Sequence, residues 1–355
     1  MRLDRREFLQ TVGGAVLAAG APAQAAAARA SPWRKHFPGL DQDMNGHPLV
    51  FLDSAASTQR PNGVINAIAE FYRRDNANPS ATLYTLARRA YERYERARRT
   101  VAEYIGARDP EEVVFTRGTT EAINLVAAAW GEANLRPGDG ILVGIAEHAS
   151  NLVPWQLAAR RTGAALRFFD ITDDGLARLD DLEAGLATRP KLVAFAHVSN
   201  VLGIVNPAKE MCDRARAGGA TVLIDAAQSV PHFPVSVQDL GCDFLAFSGH
   251  KMLGPMGVGV LWGRRELLDA MPPYQGGSNM AHQVELDPAL LERQLSAGAH
   301  KFGAGTPNVT GAVGLAAAID FLRQVGLGAL REHEEGIIRH ATARLNEVRG
   351  LRVLG

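Results

Sequence analysis

The sequence predicts an α/β protein with a mainly parallel central sheet flanked by helices. Six short apolar runs, rich in Val, Ile, Leu and Phe, are typical of strands buried on both faces. They cover residues 113–115, 141–143, 166–169, 192–195, 222–224 and 244–247. Helical patterns separate several of these runs, and polar residues follow directly after them. Alternating strands and helices indicate parallel pairing, with ligands at the carboxyl ends of the strands.

Two amphipathic patterns support the predicted helices. The first begins after Thr120 and repeats apolar residues at helical spacing, at Ala122, Leu125, Val126 and Ala129. The second carries Arg and Glu on its outer face and an apolar stripe formed by Tyr91, Tyr94, Val101 and Ile105. We interpret the tyrosines as packing residues, because aromatic stripes at this spacing usually face a core.

Residues 1–31 predict a twin-arginine signal peptide. Arg5 and Arg6 precede a short, weakly apolar stretch over 11–20, and Ala23-Gln24-Ala25 supplies a small-residue cleavage pattern. We therefore expect a periplasmic or extracellular protein, exported already folded and carrying its cofactor. The alternative is a chance arginine pair in an ordinary N-terminal helix of a cytoplasmic protein.

The composition argues against several classes of protein. The 355 residues include 38 Lys+Arg and 38 Asp+Glu, so the basic excess of a nucleic-acid binder is missing. No apolar run reaches the roughly 20 residues that span a bilayer, so stable membrane insertion is not expected. The two cysteines provide neither a disulfide framework nor the spacing of a zinc site, and we predict no metal centre.

Polar residues that can bind ligands or take part in catalysis follow most of the predicted strands. They include an acid, a lysine, imidazole rings, amides and hydroxyls, namely Thr119, Thr120, His148, Asn200, Asp225, Gln228, Ser248, His250 and Lys251. Thr119 and Thr120 open a helix, whose free N–H groups and positive dipole end favour a phosphate.

Together these residues match the requirements of pyridoxal 5'-phosphate. A lysine forms a Schiff base with its aldehyde, a carboxylate keeps its ring nitrogen protonated, and a flat ring stacks on it. Each residue alone has a plainer interpretation: Asp225 as a helix cap, Lys251 as a surface lysine, His148 as a structural histidine. The set as a whole favours the cofactor.

Six motifs carry a resemblance to the class V aminotransferase family, closest to the group II cysteine desulfurases and selenocysteine lyases. They cover residues 52–57, 117–124, 197–203, 225–228, 247–251 and 304–308, in the order of the family. The blocks Ser248-Gly249-His250-Lys251 and Asp225-Ala226-Ala227-Gln228 are specific as a pair. The resemblance extends from about Phe37 to the end of the sequence.

The resemblance implies the type I fold of pyridoxal-phosphate enzymes and a homodimer with a shared cofactor site. Lys251 would carry the cofactor and His148 would stack on its ring, both acting in catalysis. Asp225 would pair with the ring nitrogen, and Asn200 and Gln228 would lie near the ring hydroxyl. The phosphate would be held by Thr119, Thr120, Ser248 and His250, and by Thr306 from the partner subunit.

The sequence departs from this family in places that concern the substrate. The family's nucleophilic cysteine lies in a later segment, and both Cys212 and Cys242 have the context of structural residues. We expect a cofactor-binding large domain over 32–290, and over 291–355 a connecting segment with an incomplete smaller α+β domain. That domain would begin a strand at 351–354. Residues 80–84 replace a His-Arg-Gly-x-His stretch, and residues 301–303 replace an Arg-Phe-Glu run.

The resemblance leads to one principal function and two alternatives. The principal one is removal of sulfur from L-cysteine, giving L-alanine and a persulfide that a sulfur acceptor protein could receive. This activity would be incomplete without the nucleophilic segment. The alternatives are an exported amino-acid epimerase or lyase that uses the same cofactor, and a truncated product that binds the cofactor without catalysis. The substrate in each enzymatic case is a small amino acid.

Overall fold

The computed structural model describes residues 31–80 and 83–355 of the chain. The predicted signal peptide therefore lies, apart from its last residue, outside the described residues.

The predicted α/β fold with a mainly parallel sheet is confirmed. The strands are β1 (Asp43–Met44), β2 (His47–Pro48), β3 (Val113–Thr116), β4 (Gly140–Gly144), β5 (Ala165–Phe169), β6 (Leu192–Ala196), β7 (Thr221–Asp225), β8 (Phe244–Ser248) and β9 (Gly259–Gly263). Seven of them form one sheet in the order β3-β9-β8-β7-β6-β4-β5, and β1 and β2 form a separate two-stranded sheet. The pairs among β5, β4, β6, β7 and β8 are parallel, and β9 runs antiparallel to both β3 and β8.

The helices cover both faces of the large sheet. They are α1 (Asn62–Arg74), α2 (Thr85–Tyr104), α3 (Thr119–Leu125), α4 (Gly131–Asn134), α5 (Val153–Thr162), α6 (Leu179–Leu186), α7 (Ala208–Ala217), α8 (Val237–Leu240), α9 (Arg265–Ala270), α10 (Leu291–Gln294), α11 (Val309–Val325) and α12 (Leu327–Asn346). A π-helical segment, Val126–Trp130, joins α3 to α4.

Side chains point alternately to the two faces of the sheet along each strand, and they form a buried apolar cluster on each face. Phe195 and Trp262 belong to the cluster that packs under α2, α6, α7 and α11. Leu192 and Leu261 belong to the cluster under α3 and α5, together with Trp155. Every residue of β4, β6, β8 and β9 is buried, which explains why the runs predicted in β4, β6 and β8 are apolar throughout.

The sequence analysis missed β9, and it wrongly placed a strand at 351–354. β9 follows β8 without an α-helix between them and pairs antiparallel with it, so it lies outside the alternation of strands and helices from which the parallel sheet was predicted. Residues 351–355 are exposed and form no strand, because no neighbouring strand in the described part of the chain offers hydrogen bonds to them. The boundary between the two predicted domains at residue 290 stays a prediction. α11, which follows that boundary, packs on α1 and α2, which precede it.

No single helix within residues 31–80 and 83–355 combines the length and apolarity of a membrane span. The joined pair of α11 and α12, bent by 77° between them, meets those criteria only when its two helices are counted together.

Lys301 is a buried structural lysine, so its departure from the family pattern has a local explanation. Its Nζ donates to the carbonyls of Leu268, Asp269 and Met271 at 3.1, 2.7 and 2.9 Å. These carbonyls end α9, where a cation is favoured by the helix dipole. Lys301 therefore anchors α9 and does not act as a cation at the mouth of a site.

Two glycines bring the end of β3 close to the end of β8. Thr116 and Ser248 both pair with Gly259 in the sheet, so they lie level on either side of β9. A Cβ on Gly259 would lie 2.4 Å from Cα of Gly118, so only glycine permits this approach. The start of α3 consequently lies against the carboxyl end of β8.

Candidate active site

A hydroxyl cluster forms where α3 begins. The backbone N–H of Thr119 donates to Oγ of Ser248 at 2.8 Å, and the two hydroxyl oxygens of this pair are 2.7 Å apart. Oγ1 of Thr120 lies 2.7 Å from Oγ of Ser150. The fold thus brings Thr119, Thr120 and Ser248 to one edge, as the sequence predicts. Helix N–H groups and rotatable hydroxyls there provide donors suited to a phosphate.

Asp225 ends β7 at the same edge and is buried. Its Oδ1 accepts a hydrogen bond from the N–H of Ala227 at 3.0 Å. Burial raises the pKa of Asp225, while the Ala227 amide and the charges of Lys251 and His148 act in the opposite direction. The charges of the predicted catalytic lysine and of the predicted stacking ring therefore both favour the ionised form of this carboxyl group.

Gln228 ties an N-terminal segment to this edge. Its Nε2 donates to the carbonyl of Ala55 at 2.7 Å, across 173 residues of chain, and its side chain is buried. The segment around Ala55 contains one of the motifs noted in the sequence, and this bond brings it beside Asp225.

Lys251 is partly buried at the end of a 3₁₀ turn, Gly249–Lys251, that follows β8. Burial lowers the pKa of Lys251, and the charge of Asp225 opposes that shift. Its neighbour His250 also has a lowered pKa, through burial and then the charges of Lys251 and Arg60. Lys251 borders a cavity of about 320 Å³ with apolar walls that include Trp33, Phe37 and Phe321.

His148 is exposed on a loop after β4, where the sequence predicts a ring that stacks on the cofactor. Its Nδ1 accepts from the N–H of Ser150 at 3.1 Å. A neutral ring then carries its hydrogen on Nε2, which becomes a donor.

Glu147 anchors this loop, and the sequence analysis did not include it among the site residues. Its Oε1 accepts from the N–H of Ala196 at 2.8 Å, and its Oε2 accepts from Nδ2 of Asn151 at 2.7 Å. Ala196 pairs with Asp225 in the sheet, so the anchor lies one strand away from that carboxylate. Burial raises the pKa of Glu147 to about 8, against the bonds from Asn151 and Ala196 and with a further rise from Asp225.

Asn200 and Thr306 have fewer contacts with the other predicted site residues. Asn200 is partly buried in the turn between Ser199 and Ile204, and no hydrogen bond of its side chain to the other predicted residues is found in the described part of the chain. Thr306 is exposed and borders a different cavity, of about 370 Å³, beside Arg117. Within one chain Thr306 and Lys251 therefore line separate cavities, and its contact with a partner's phosphate stays a prediction.

The two cysteines lie in the core, away from the candidate site. Cys212 and Cys242 are fully buried in the apolar cluster under α7. Burial raises the pKa of the Cys212 thiol to about 12 and that of Cys242 well above its ordinary range. A thiol in this state is a poor nucleophile, so neither residue is suited to take sulfur from a substrate.

The residues at this edge fit pyridoxal phosphate. Asp225 has one oxygen engaged by Ala227 and is buried enough to need a cationic partner, such as a protonated ring nitrogen. Lys251 offers an amine of lowered pKa, and the hydroxyls near Thr119 offer donors to a phosphate. The hydroxyls and helix N–H groups near Thr119 therefore suit the phosphate of the cofactor, and the amine of Lys251 suits its aldehyde.

The fold and this edge define a pyridoxal-phosphate-dependent enzyme. The chain belongs to the aminotransferase class-V family, whose model matches residues 50–355. The family supports the cofactor, and the relatives described next support the cysteine desulfurase type that the sequence predicts.

Three relatives illustrate the similarity. A probable cysteine desulfurase from Halalkalibacterium halodurans is 47% identical over 322 residues, which are 91% of this chain and 78% of that protein. A cysteine desulfurase from Enterobacter sp. is 45% identical over 322 residues, which are 91% of this chain and 79% of that protein. The crystal structure of the cysteine desulfurase CsdA from Escherichia coli is 37% identical, with a TM-score of 0.81, covering 90% of this chain and 77% of CsdA.

We predict that Glu147→Gln changes how the stability of the protein depends on pH. The pKa of Glu147 is about 8 in the folded protein and about 4.3 in an unfolded chain, so the folded state holds the proton more tightly. Stability is then lost as pH rises between these two values, by up to about 1.4 kcal/mol per pH unit. Glutamine cannot titrate and should escape this loss.

Urea unfolding of both proteins between pH 5 and pH 8 measures the difference. The wild type should lose free energy of unfolding relative to Glu147→Gln as pH rises, while titrations common to both cancel. A difference that stays constant over this range would contradict the raised pKa.

Proposed function

We propose that this chain uses pyridoxal phosphate to remove sulfur from L-cysteine, giving L-alanine and a persulfide on an acceptor thiol. The observation that carries the proposal is that the buried Asp225 ends β7, that Lys251 lies in the turn after the neighbouring strand β8, and that the hydroxyls of Thr119 and Ser248 meet at the same edge. Relatives over 91% of the chain that are named cysteine desulfurases support this substrate.

The residues would act as the resemblance implies. Asp225 would hold the ring nitrogen, with Gln228 and Asn200 near the ring hydroxyl, and Thr119, Thr120, Ser248 and His250 would hold the phosphate. When bound, the cofactor supplies an aldehyde for amino groups and a ring that withdraws electrons from the substrate Cα. The lowered pKa of Lys251 lets its Nζ take the proton from Cα, and Nε2 of His148 can donate one.

The sulfur transfer balances without a further reagent. The C–S bond of cysteine breaks, an S–S bond forms to the acceptor thiol, and the thiol proton ends on alanine. Because Cys212 and Cys242 are buried with raised pKa, the acceptor thiol belongs to neither of them. A sulfur acceptor protein is one source of that thiol.

We predict that the purified protein is yellow, and that borohydride fixes the cofactor on Lys251. Incubated with L-cysteine and dithiothreitol, it should release alanine and sulfide in equal amounts. Lys251→Ala should reduce alanine formation by at least about 100-fold, because the base at Cα is lost. Chromatography of the products and peptide mapping of the reduced protein provide the measurements.

Other products would identify the alternatives. Pyruvate and ammonia would indicate a lyase, D-amino acid an epimerase, and bound cofactor without any product a non-catalytic binder. A colourless protein, or label on another lysine, would contradict the cofactor assignment itself.

We further propose a homodimer. The separation of Thr306 from Lys251 into different cavities supports a site shared between two chains. Large apolar side chains at Leu83, Val284 and Leu286 are at least four-fifths exposed, as is typical of surfaces that a partner covers. Light scattering should give twice the mass of one chain, and a monomer at micromolar concentration would contradict the proposal.

We also propose export by the twin-arginine route, on the basis of Arg5, Arg6 and the stretch that follows them. Replacing both arginines by lysine should retain the protein in the cytoplasm, because the pair is what the route recognises. Fractionation of cells with an antibody against the protein measures this. A wild type found only in the cytoplasm, or a lysine variant still outside, would favour the cytoplasmic alternative.

A further inference from the structure

The turn that carries Lys251 folds back tightly on itself. The N–H of Gly249 donates to the carbonyl of Val258 at 2.9 Å, and the N–H groups of Met252 and Gly254 donate to the carbonyl of Gly249 at 3.0 and 2.9 Å. A Cβ on Gly254 would lie 2.9 Å from that same carbonyl oxygen. The backbone path before and after Lys251 is therefore closely packed, and it sets the direction in which the lysine leaves the chain.

Leu253 closes the turn in an unfavourable conformation. Its φ is +66°, in the left-handed region that non-glycine residues rarely occupy. Such a conformation persists where surrounding contacts hold it, and it is found often at functional sites. The structure must therefore supply an interaction that keeps Leu253 in place.

Thr58 supplies that interaction from a distant part of the chain. Its N–H and its Oγ1 donate to the carbonyl of His250 at 2.9 and 3.0 Å, and the same Oγ1 accepts from the N–H of Leu253 at 2.9 Å. One hydroxyl can fill both roles, because it has a single hydrogen to donate and lone pairs to accept. Thr58 thus joins the residue before Lys251 to the residue two positions after it. Arg60 in turn donates to the carbonyl of Thr58.

We propose that Thr58 is a positioning residue for Lys251. Its hydroxyl closes the turn around the lysine and fixes where the amine meets the cofactor. The inference rests on the proposed function, since it concerns the lysine that would carry pyridoxal phosphate. Without the hydroxyl the N–H of Leu253 loses its partner, and the turn is free to leave the left-handed conformation.

Two substitutions at one position separate the hydroxyl from the shape of the side chain. Thr58→Val keeps the size and the backbone N–H of Thr58 but removes the hydroxyl, and Thr58→Ser keeps the hydroxyl. Thr58→Val should weaken the affinity for pyridoxal phosphate by about 5- to 30-fold, the effect of losing one partly buried hydrogen bond. Thr58→Ser should restore it to within about threefold of the wild type.

A matched control is Thr100→Val, since the hydroxyl of Thr100 bonds to Arg96 within its own helix. The affinity is measured by titrating each cofactor-free protein with pyridoxal phosphate and following visible absorbance. The pH at which that absorbance changes reports the protonation of the lysine linkage and should shift in Thr58→Val alone. Thermal unfolding of the cofactor-free proteins tests for a general loss of stability.

Each contrary result has a definite meaning. Equal affinity in the wild type and Thr58→Val would overturn the inference, as would an equal loss in Thr58→Val and Thr58→Ser. A weaker affinity with no shift in the absorbance pH profile, accompanied by earlier unfolding, would reduce Thr58 to a structural role and overturn it too. A wild type that binds no cofactor would overturn the proposed function, and this inference with it.

Discussion

Desolvation of opposite charges at the carboxyl edge of the sheet is the constraint on which the site depends. Burial favours the neutral forms of both Asp225 and Lys251, raising the pKa of the acid and lowering that of the amine. Their mutual attraction opposes both shifts. The edge therefore holds an acid in need of a cationic partner and an amine that gives up its proton readily. A cofactor with a basic ring nitrogen and an aldehyde satisfies both needs at once.

Glu147 adds a second carboxyl group to the same edge, and its neighbours have opposite effects on its pKa. Two hydrogen bonds support its anion, whereas burial and the charge of Asp225 favour its neutral form. Gly144 leaves room for it, because a Cβ there would lie 2.8 Å from Oε1 of Glu147. The loop bearing His148 is thus fastened to β6 by a group whose charge depends on that of Asp225.

The sequence predicted β4, β6, β7 and β8 because strands buried on both faces form apolar runs. It also predicted β5, although β5 lies at the edge of the sheet and is exposed at Arg167 and Phe168. The position of the site followed from topology, since the polar residues after such strands share one edge. The missed interactions are of another kind. Thr58 lies 192 residues before His250, and Glu147 lies 49 residues before Ala196, so no local pattern signals either bond. β9 was missed because no α-helix separates it from β8, with which it pairs antiparallel, so the alternation of strands and helices does not mark it.

The departures from the family pattern do not all concern the substrate, and the structure separates them. Nζ of Lys301 donates to three carbonyls at the end of α9, so its difference from the family pattern has a structural explanation. Ser80, in contrast, borders a cavity of about 230 Å³ with Tyr91, Arg98 and His300. Lys251 lines a different cavity. The change at Ser80 therefore alters the polarity of a cavity that Lys251 does not line, whereas the change at Lys301 is explained by the contacts that end α9.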